Sequence, residues 1–413
     1  MTARLLIDHL GAQGDGIANT PQGQVFVPFT LPGEMVTVQP AGKKHEALTV
    51  IDPSPERIEP LCRHFTACGG CAFQHWQAEP YRAWKRGLLV SALQARGIDV
   101  PVGDLVACGP GERRRVQLSA RHGEGGAVLG FHGPYSYSLF QLEECPVTDP
   151  RIVAALPQLR RLAAVIAGLS KPFHMVVTVT ETGLDIAVRK SGRLPEAERQ
   201  RAAKIVLENH WARLSVDGEI VLEPVKPQVR FGAATVVPPP GGFLQAVPAI
   251  EEAMAAEVVG HLGKAKQAAD LFAGAGAFAL RMAGRMQVHA VEGDGPALAA
   301  LDGGFRGAAG LKKVTVEKRD LFQHPLLPRE LLGYDALVFD PPRAGAEAQV
   351  KHLAKADIRK VAAVSCNPVT LARDLEILIA GGYRLLSVTP YDQFLFTAHV
   401  EAVALLEKPV RRR

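Results

Sequence analysis

The stretch that decides the fold of the C-terminal half is Asp270-Leu271-Phe272-Ala273-Gly274-Ala275-Gly276-Ala277-Phe278. It has the pattern of an apolar strand, a tight glycine turn and the start of a helix, and glycine in such a turn lets the backbone approach a ligand closely. Around it, helices are predicted over 249–262 and 370–380, and apolar strands over 267–272, 288–291, 314–317, 336–339 and 361–365. This alternation predicts a doubly wound, Rossmann-like α/β domain, which we place at residues 236–413.

Acidic residues follow three successive strands of this domain. Glu292 ends the strand after the glycine turn, where a carboxylate can accept hydrogen bonds from the two hydroxyls of a ribose. Asp320 and Asp340 follow the third and fourth strands. Acids along one edge of such a sheet are typical of nucleoside-cofactor binding. The glycine turn and Glu292 suit NAD as well as S-adenosylmethionine, and a glycine turn alone is often only a turn.

The sequence Asp340-Pro341-Pro342-Arg343 separates these two cofactors. Many S-adenosylmethionine enzymes place Asp or Asn, two prolines and an aromatic residue at the end of the fourth strand, where the rigid turn holds an exocyclic amine. Arginine at position 343 disfavours methylation of an amine. The motif therefore predicts an S-adenosylmethionine site, and a plain turn after a strand is the simpler alternative.

A lone cysteine, Cys366, lies in Val364-Ser365-Cys366-Asn367-Pro368 and directly follows the fifth apolar strand. Methylation at the electron-poor C5 of a pyrimidine requires a nucleophile that adds to C6, and a thiolate does this. The N-terminus of the helix that follows is expected to lower the pKa of the Cys366 thiol. An inert buried cysteine is the alternative.

Glu401 lies in Thr397-Ala398-His399-Val400-Glu401, just before the last apolar run. After C5 has taken a methyl group, its hydrogen must leave as a proton, and a nearby carboxylate suits that role. His399 is a second candidate base. The alternatives are an exposed strand residue for Glu401 and a structural histidine for His399.

Four further cysteines form a candidate metal site. Cys62, Cys68 and Cys71 lie in one glycine-containing loop, and Cys145 follows much later beside a proline. Three close thiols and a distant one favour a 4Fe-4S cluster over zinc, for which two Cys-x2-Cys pairs are more typical. Zinc and no metal are the alternatives, and Cys108 is expected to be a small core residue.

The composition and the N-terminal residues limit which classes of protein this sequence can belong to. The 413 residues carry a net charge of +5, and basic runs such as 113–115 allow a polyanionic partner, although such runs are usually solvated. Without a signal peptide or an apolar run of about 18 residues, we expect a cytoplasmic protein with reduced cysteines and no membrane span. Short strands predict a small β-barrel over 1–54, prolines predict a linker at 52–55, and mixed elements predict an α+β domain over 55–235.

Together these motifs closely resemble the RNA 5-methyluridine methyltransferase family, and specifically its branch with a 4Fe-4S cluster that acts on 23S ribosomal RNA. The resemblance spans nearly the whole chain. It is carried by the cysteine spacing, Asp-Pro-Pro-Arg-Ala-Gly at 340–345, Ser-Cys-Asn-Pro at 365–368 and His-Val-Glu at 399–401. At the N-terminus, Gly-Asp-Gly-Ile-Ala at 14–18 is similar to the TRAM domain, an OB-like RNA-binding barrel.

The resemblance implies a role for each motif residue. Cys366 is implied as the nucleophile and Glu401 as the base at C5, and Gln245 matches a glutamine that lines the donor and uracil pocket. The cofactor-binding residues are then Gln245, Phe272, Gly274, Gly276, Ala277, Glu292, Asp320 and Asp340, and the cluster ligands are Cys62, Cys68, Cys71 and Cys145. The family flips its target uridine out of the RNA fold, because C6 is unreachable in a stack. We expect a monomer.

Three places depart from the family pattern. Ala277 stands where a polar residue is usual, Gly303-Gly304 where Asn-Ala is common, and Phe396 where histidine is frequent. The alternative functions are 5-methyluridine formation in transfer RNA, 5-methylcytidine formation, a non-catalytic RNA-binding assembly factor, and an oxidoreductase with a redox-active cluster. Methylation is favoured because the nucleophile and both acids are intact, and we expect the cluster to be structural or RNA-positioning.

Overall fold

Two small antiparallel sheets form the N-terminal region. The computed structural model describes residues 2–41, 44–124, 126–167 and 172–409. The N-terminal strands are β1 (Ala3–Leu6), β2 (His9–Leu10), β3 (Gly16–Thr20), β4 (Gly23–Val27), β5 (Met35–Ala41) and β6 (Lys44–Asp52). They pair in the orders β1-β5-β6 and β2-β3-β4 around a core that includes Ile7, Val27 and Val36. The sequence predicts all of these strands except β2, which is too short to show an alternating pattern.

A six-stranded sheet backed by helices forms most of the middle region. The elements are α1 (Ala78–Gln94), β7 (Val106–Ala107), β8 (Arg115–Gly123), β9 (Gly126–Gly130), α2 (Pro150–Ala154), α3 (Leu156–Ala167), β10 (Phe173–Thr180), β11 (Gly183–Arg189), α4 (Glu196–Glu208), β12 (Arg213–Val216), β13 (Glu219–Leu222), β14 (Val229–Phe231) and β15 (Ala234–Val236). The sheet order is β13-β12-β11-β10-β8-β9. Leu156, Leu159 and Leu162 form the buried stripe of α3 against this sheet.

An eight-stranded sheet with helices on both faces forms the C-terminal region. Its elements are α5 (Pro248–Leu262), β16 (Gln267–Leu271), α6 (Ala279–Met282), β17 (Gln287–Glu292), α7 (Gly295–Gly307), β18 (Val314–Lys318), β19 (Ala336–Phe339), α8 (Glu347–Leu353), β20 (Lys360–Ser365), α9 (Pro368–Ala380), β21 (Arg384–Asp392) and β22 (Glu401–Glu407). The order is β18-β17-β16-β19-β20-β22-β21-β7. Successive residues of β16, such as Ala268 and Ala269, point to opposite faces of the sheet and belong to two different apolar cores. The predicted α/β architecture is confirmed.

The strand directions bring the candidate residues to one edge of this sheet. β16 to β20 are parallel, and the chain order reverses between β16 and β19, where ligands bind at the carboxyl ends of the strands. β22 is antiparallel to β20, with Ala402 opposite Ser365. The first residue of β22, Glu401, therefore lies at the edge where β20 ends.

Two elements of the predicted middle domain pack on the C-terminal sheet instead. Leu89 and Leu93 of α1 belong to the same apolar core as Leu375 of α9, and β7 pairs with β21 at the sheet's edge. A buried ion pair joins Lys85 of α1 to Asp392 at 2.6 Å. The packing therefore crosses the predicted boundary between residues 235 and 236, because the charged partner of Lys85 in α1 lies 307 residues away in sequence. No helix in the described part of the chain is both long and apolar enough to cross a membrane.

Candidate active site

A cavity of about 610 Å³ opens at the carboxyl edge of the C-terminal sheet, and we call it the donor cleft. Nine of the ten predicted catalytic and cofactor-binding residues line it: Gln245, Phe272, Gly274, Ala277, Glu292, Asp320, Asp340, Cys366 and Glu401. The tenth, Gly276, does not. A Cβ on Gly276 would lie 2.7 Å from Cγ of Leu301, so this glycine is required for packing of the turn against α7.

The glycine turn is tied to the end of the neighbouring strand. The amide of Gly274, a residue with φ of +54°, donates a hydrogen bond to Oε2 of Glu292 at 2.8 Å. The amide of Asp294 donates to Oε1 at 2.8 Å. Each carboxylate oxygen keeps a second lone pair for a ligand hydroxyl. A Cβ on Gly274 would meet open space, so its glycine serves the backbone conformation.

Two tilted aromatic rings lie beside each other in this part of the cleft. Phe272 and Phe322 line the cleft with ring centroids 5.4 Å apart. Asp320 accepts the amide of Phe322 at 2.9 Å, so its carboxylate also holds the chain that carries the second ring. The sequence analysis missed Phe322. An aromatic residue two positions after a strand-end acid was the signal available.

The Asp-Pro-Pro-Arg turn and the cysteine motif are joined by one side chain. The side-chain Nδ2 of Asn367 donates a hydrogen bond to the carbonyl oxygen of Arg343 at 3.0 Å. Its Oδ1 accepts a hydrogen bond from the backbone amide of Val369 at 3.1 Å, which caps α9. The same asparagine therefore starts the helix after Cys366 and fixes the turn that follows Asp340. Arg343 lines the donor cleft with both residues.

The thiol of Cys366 is half-buried among carboxylates. Burial, with Glu401 and Asp340 adding to it, raises the pKa of Cys366 to about 11, while Arg343 opposes the shift. The expectation that the following helix lowers this pKa is wrong for the ligand-free protein. Two neighbouring acids and the loss of solvent outweigh the helix terminus.

The carboxyl groups of Asp340 and Glu401 both act on this thiol. Burial raises the pKa of Asp340 well above its usual range, and the charges of Glu401 and Asp270 add to the shift. Burial also raises the pKa of Glu401, while hydrogen bonding from Gln393 lowers it. A carboxyl group titrating nearer neutrality is a better proton acceptor at physiological pH than an ordinary glutamate. Gln393 was missed by the sequence analysis, and no spacing pattern marks it.

His399 is less suited to act as the base. The guanidinium nitrogen Nη2 of Arg343 lies 2.8 Å from both ring nitrogens of His399. Burial and the nearby cations, with Arg343 first among them, lower the pKa of His399 to about 4. The neutral ring therefore serves as an acceptor that orients Arg343.

The four clustered cysteines line a second cavity of about 290 Å³, which we call the cysteine cavity. It brings together Cys62, Cys68, Cys71 and Cys145. Protein donors are directed at two of the sulfurs, since the Gly70 amide lies 3.3 Å from Sγ of Cys68 and the Thr148 hydroxyl lies 3.2 Å from Sγ of Cys145. Within the described residues, no three His, Cys, Asp or Glu side chains form a group that could hold a metal ion. The thiols therefore share a cavity without forming a ready single-ion site.

The donor cleft and the cysteine cavity have a common wall. Phe394 lines both, and the segment that follows it also lines the cysteine cavity with Leu395, Thr397 and His399. The carbonyl oxygen of Phe396 accepts the amides of Ala72 at 2.8 Å and Phe73 at 3.2 Å, directly after Cys71. The loop that precedes Glu401 is thus bonded to the loop that carries three of the cysteines.

Known proteins share this sequence and this fold. Residues 314–409 match the tRNA (Uracil-5-)-methyltransferase family, and residues 1–39 match the TRAM domain. A protein of Mesorhizobium japonicum named as an RNA methyltransferase is 58% identical over 414 residues, covering 100% of both chains. The 23S rRNA (uracil(1939)-C(5))-methyltransferase RlmD of Halomonas elongata is 33% identical over 98% of this chain and 89% of its own.

A solved structure extends the likeness to the whole fold. The tRNA (uracil-54, C5)-methyltransferase of Pyrococcus abyssi, in complex with S-adenosyl-L-homocysteine, superposes with a TM-score of 0.75. It covers 98% of this chain and 100% of its own at 23% identity, which shows a shared fold. The chain therefore belongs to the S-adenosylmethionine-dependent RNA (uracil-5-)-methyltransferase family, with an N-terminal TRAM domain and a C-terminal methyltransferase fold.

Proposed function

We propose that this enzyme methylates C5 of a uridine in structured RNA, with Cys366 as the nucleophile and Glu401 as the base. One observation carries the proposal: both side chains line the donor cleft, together with Asp340 and Arg343, at the sheet edge that holds the glycine turn. Among the described cysteines, Cys366 alone lines that cleft.

The residues of the cleft divide the reaction between addition and elimination. Cys366 gives its proton to bulk water, and its sulfur forms a bond to C6 of the uracil, which moves the electron pair of the C5–C6 double bond to C5. This pair would form the bond to the methyl carbon while the sulfur–methyl bond of the donor breaks and the donor leaves as a neutral thioether. Glu401 then takes the proton from C5. The electron pair of that C–H bond restores the double bond, the bond between sulfur and C6 breaks, and Cys366 leaves as a thiolate.

The donor cleft fits S-adenosylmethionine. When bound, this cofactor supplies an electrophilic methyl carbon. Glu292 has free lone pairs for ribose hydroxyls, and the rings of Phe272 and Phe322 offer apolar faces to an adenine. Open space beside Gly274 lets the backbone approach the ligand. Gln245 donates a hydrogen bond to Asp340, and both residues line the same cleft as Cys366 and Glu401.

We propose 23S ribosomal RNA as the substrate. The support is the match to RlmD of Halomonas elongata along almost the whole chain, together with the four-cysteine pattern. Phe243 lines the donor cleft with 69% of its surface exposed, so an aromatic face is available to an unstacked base. Removal of the gene should abolish 5-methyluridine at one or more positions of 23S ribosomal RNA, and its loss from transfer RNA alone would reject the ribosomal assignment.

We also propose that Cys62, Cys68, Cys71 and Cys145 bind a 4Fe-4S cluster. Four thiols around one cavity are the donor set that a 4Fe-4S cluster takes, and these four side chains would hold it there. The Gly70 amide and the Thr148 hydroxyl are suitable donors to ligating thiolates. Bound there, the cluster would join the 62–71 loop to the segment around Cys145.

RNA that contains 5-fluorouridine tests the proposed reaction. Fluorine at C5 cannot leave as a proton, so addition and methylation should end in a covalent complex between Cys366 and the RNA. We expect a denaturation-resistant band with the wild-type enzyme and S-adenosylmethionine, and peptide mapping should place the link at Cys366. A wild-type enzyme that methylates uridine RNA without trapping the fluorinated RNA would contradict the mechanism.

A further inference from the structure

A buried glutamine, Gln393, lies behind the donor cleft without lining it. It follows β21 directly and is 2% exposed. Its Oε1 accepts the amide of Ala246 at 2.8 Å. Its Nε2 lies 2.6 Å from Oε1 of Gln245 and 2.8 Å from Oε2 of Glu401. This side chain therefore contacts the proposed base without itself lining the donor cleft.

One backbone amide determines the direction of every hydrogen bond in this group. A backbone N–H can only donate, so the atom of Gln393 that faces Ala246 is its oxygen, and its NH2 group must donate to Gln245 and Glu401. Because Oε1 of Gln245 accepts, the NH2 group of Gln245 faces Oδ2 of Asp340 at 3.1 Å. Each buried carboxylate thus receives an amide N–H.

This direction distinguishes the two oxygens of Glu401. A proton on Oε2 would point at an N–H group that cannot accept it, so Oε2 is held as an acceptor. Among the described residues, Oε1 has no hydrogen-bond partner, and the side chain lines the cleft. Hydrogen bonds to the charged form also oppose the effect of burial, which favours the neutral acid.

We propose that Gln393 is a positioning residue for proton removal: it holds Oε2 of Glu401 so that Oε1 receives the C5 proton, and through Gln245 it links this carboxylate to Asp340. The proposal rests on Glu401 being the base, as proposed above. Gln393 acts after the methyl group has been transferred. Its loss should slow elimination more than addition.

Gln393→Met tests this, because methionine has a similar volume and makes none of these hydrogen bonds. With ordinary uridine RNA, we expect overall turnover to fall about 10- to 100-fold, the range for loss of a hydrogen bond to a charged group. The methylated Cys366–RNA adduct should accumulate, because proton removal has become the slow step. With 5-fluorouridine RNA, the variant should trap as much adduct as the wild type.

A second variant adds a readout that depends on protonation. Gln393→Glu can donate to Glu401 only when the new carboxyl group is protonated. Its turnover relative to the wild type should therefore recover as pH is lowered, whereas the relative turnover of Gln393→Met should not. The matched control is Gln349→Met, since Gln349 is 1% exposed and bonds to the backbone of Leu326, outside the donor cleft.

The outcomes separate this inference from the reaction on which it rests. A wild-type enzyme that never traps fluorinated RNA would overturn the proposed reaction itself. If the wild type traps normally but Gln393→Met turns over uridine RNA at the wild-type rate, the inference is wrong. It is also wrong if the turnover of Gln393→Met falls without accumulation of the Cys366–RNA adduct while its Tm falls by the same amount as that of Gln349→Met, since the loss would then be one of stability.

Discussion

The donor cleft and the cysteine cavity are neighbours that satisfy their polar groups in different ways. At the donor cleft, the linked side chains of Gln393 and Gln245 give one amide N–H each to the carboxylates of Glu401 and Asp340. In the cysteine cavity, burial raises the pKa of Cys68 to about 11 and that of Cys71 to about 12. The buried Oε1 of Gln74, which lines this cavity, has no partner among the described residues.

The difference indicates that the cleft is preorganised and the cavity is not. Amides that already face the carboxylates cost no reorganisation when substrate arrives. The partly buried thiols of Cys68 and Cys71, in contrast, have raised pKa values, so a bound cation would be needed to favour their thiolates near neutral pH. The bonds from Ala72 and Phe73 to Phe396 join the two sites, so disorder in the cysteine loop would reach the loop that carries Gln393.

The largest expected effect belongs to Cys366→Ala. Removing the nucleophile should reduce methylation of RNA by about 10³-fold or more and abolish the trapped 5-fluorouridine adduct, because no other side chain can form the bond to C6. The Tm should hardly change, since the cleft network does not include this thiol. Transfer of labelled methyl groups measures the rate. Residual activity above a few per cent would mean that uracil is activated without covalent addition.

Cys68→Ala tests the cysteine cavity and should act on stability. Losing one of four ligands should remove bound iron and its visible absorbance, and lower the free energy of unfolding by about 3–4 kcal/mol, the value for a ligand present at 100 to 1,000 times its dissociation constant. Cys108→Ala is the matched control, because Cys108 is buried in an apolar core and lines neither cavity. Equal iron in both variants, or stoichiometric zinc in the wild type, would reject the cluster.

The pH dependence of kcat/KM sharpens the description of the cleft. With the pKa of Cys366 at about 11, the thiolate fraction of the free enzyme should grow about tenfold per pH unit between pH 6 and 8.5. The raised pKa of Glu401 steepens the fall on the acid side, because protonation removes the base. A flat profile over this range would show that Arg343 or the bound RNA already ionises the thiol.

Motifs at strand ends could be predicted from the sequence because local geometry determines them. The glycine turn, Glu292, Asp340 and Cys366 each follow an apolar strand, and parallel strands place their carboxyl ends together. The prolines after Asp340 and before Val369 further restrict the local backbone. Nine predicted residues therefore meet in one cleft, while the packing of Gly276 depends on Leu301, which lies 25 positions further along the chain.

What the sequence could not predict depends on contacts between distant residues. Gln393 bonds to Gln245 across 148 positions, and a glutamine in a loop carries no periodic signal. The raised pKa of Cys366 arises from burial beside Asp340 and Glu401, which only the folded chain brings together. The contact of α1 with β21 is likewise made by Lys85 and Asp392, which lie 307 positions apart.

The smallest expected effect concerns Asp270, a carboxyl group beside the cleft that the amide network does not reach. It is 0% exposed, and no side chain among the described residues donates a hydrogen bond to either oxygen. Burial raises the pKa of Asp270 to about 8. Because the folded pKa lies above the unfolded value, the stability it contributes is fully present below about pH 4 and is lost as pH rises through 8.

Asp270→Asn should therefore flatten the fall in stability between pH 5 and 8, because asparagine has the same shape and cannot ionise. We expect the wild type to lose up to about 1.4 kcal/mol more than the variant for each pH unit in this range, measured by urea unfolding at each pH. Asp99→Asn, at an exposed position, is the control and should follow the wild type. A variant curve parallel to that of the wild type would mean that Asp270 is ionised and solvated in the folded protein. The lack of a side-chain amide hydrogen bond to Asp270 would then have no effect on its ionisation, and Asp270 could not be contrasted with Asp340 and Glu401 on that ground.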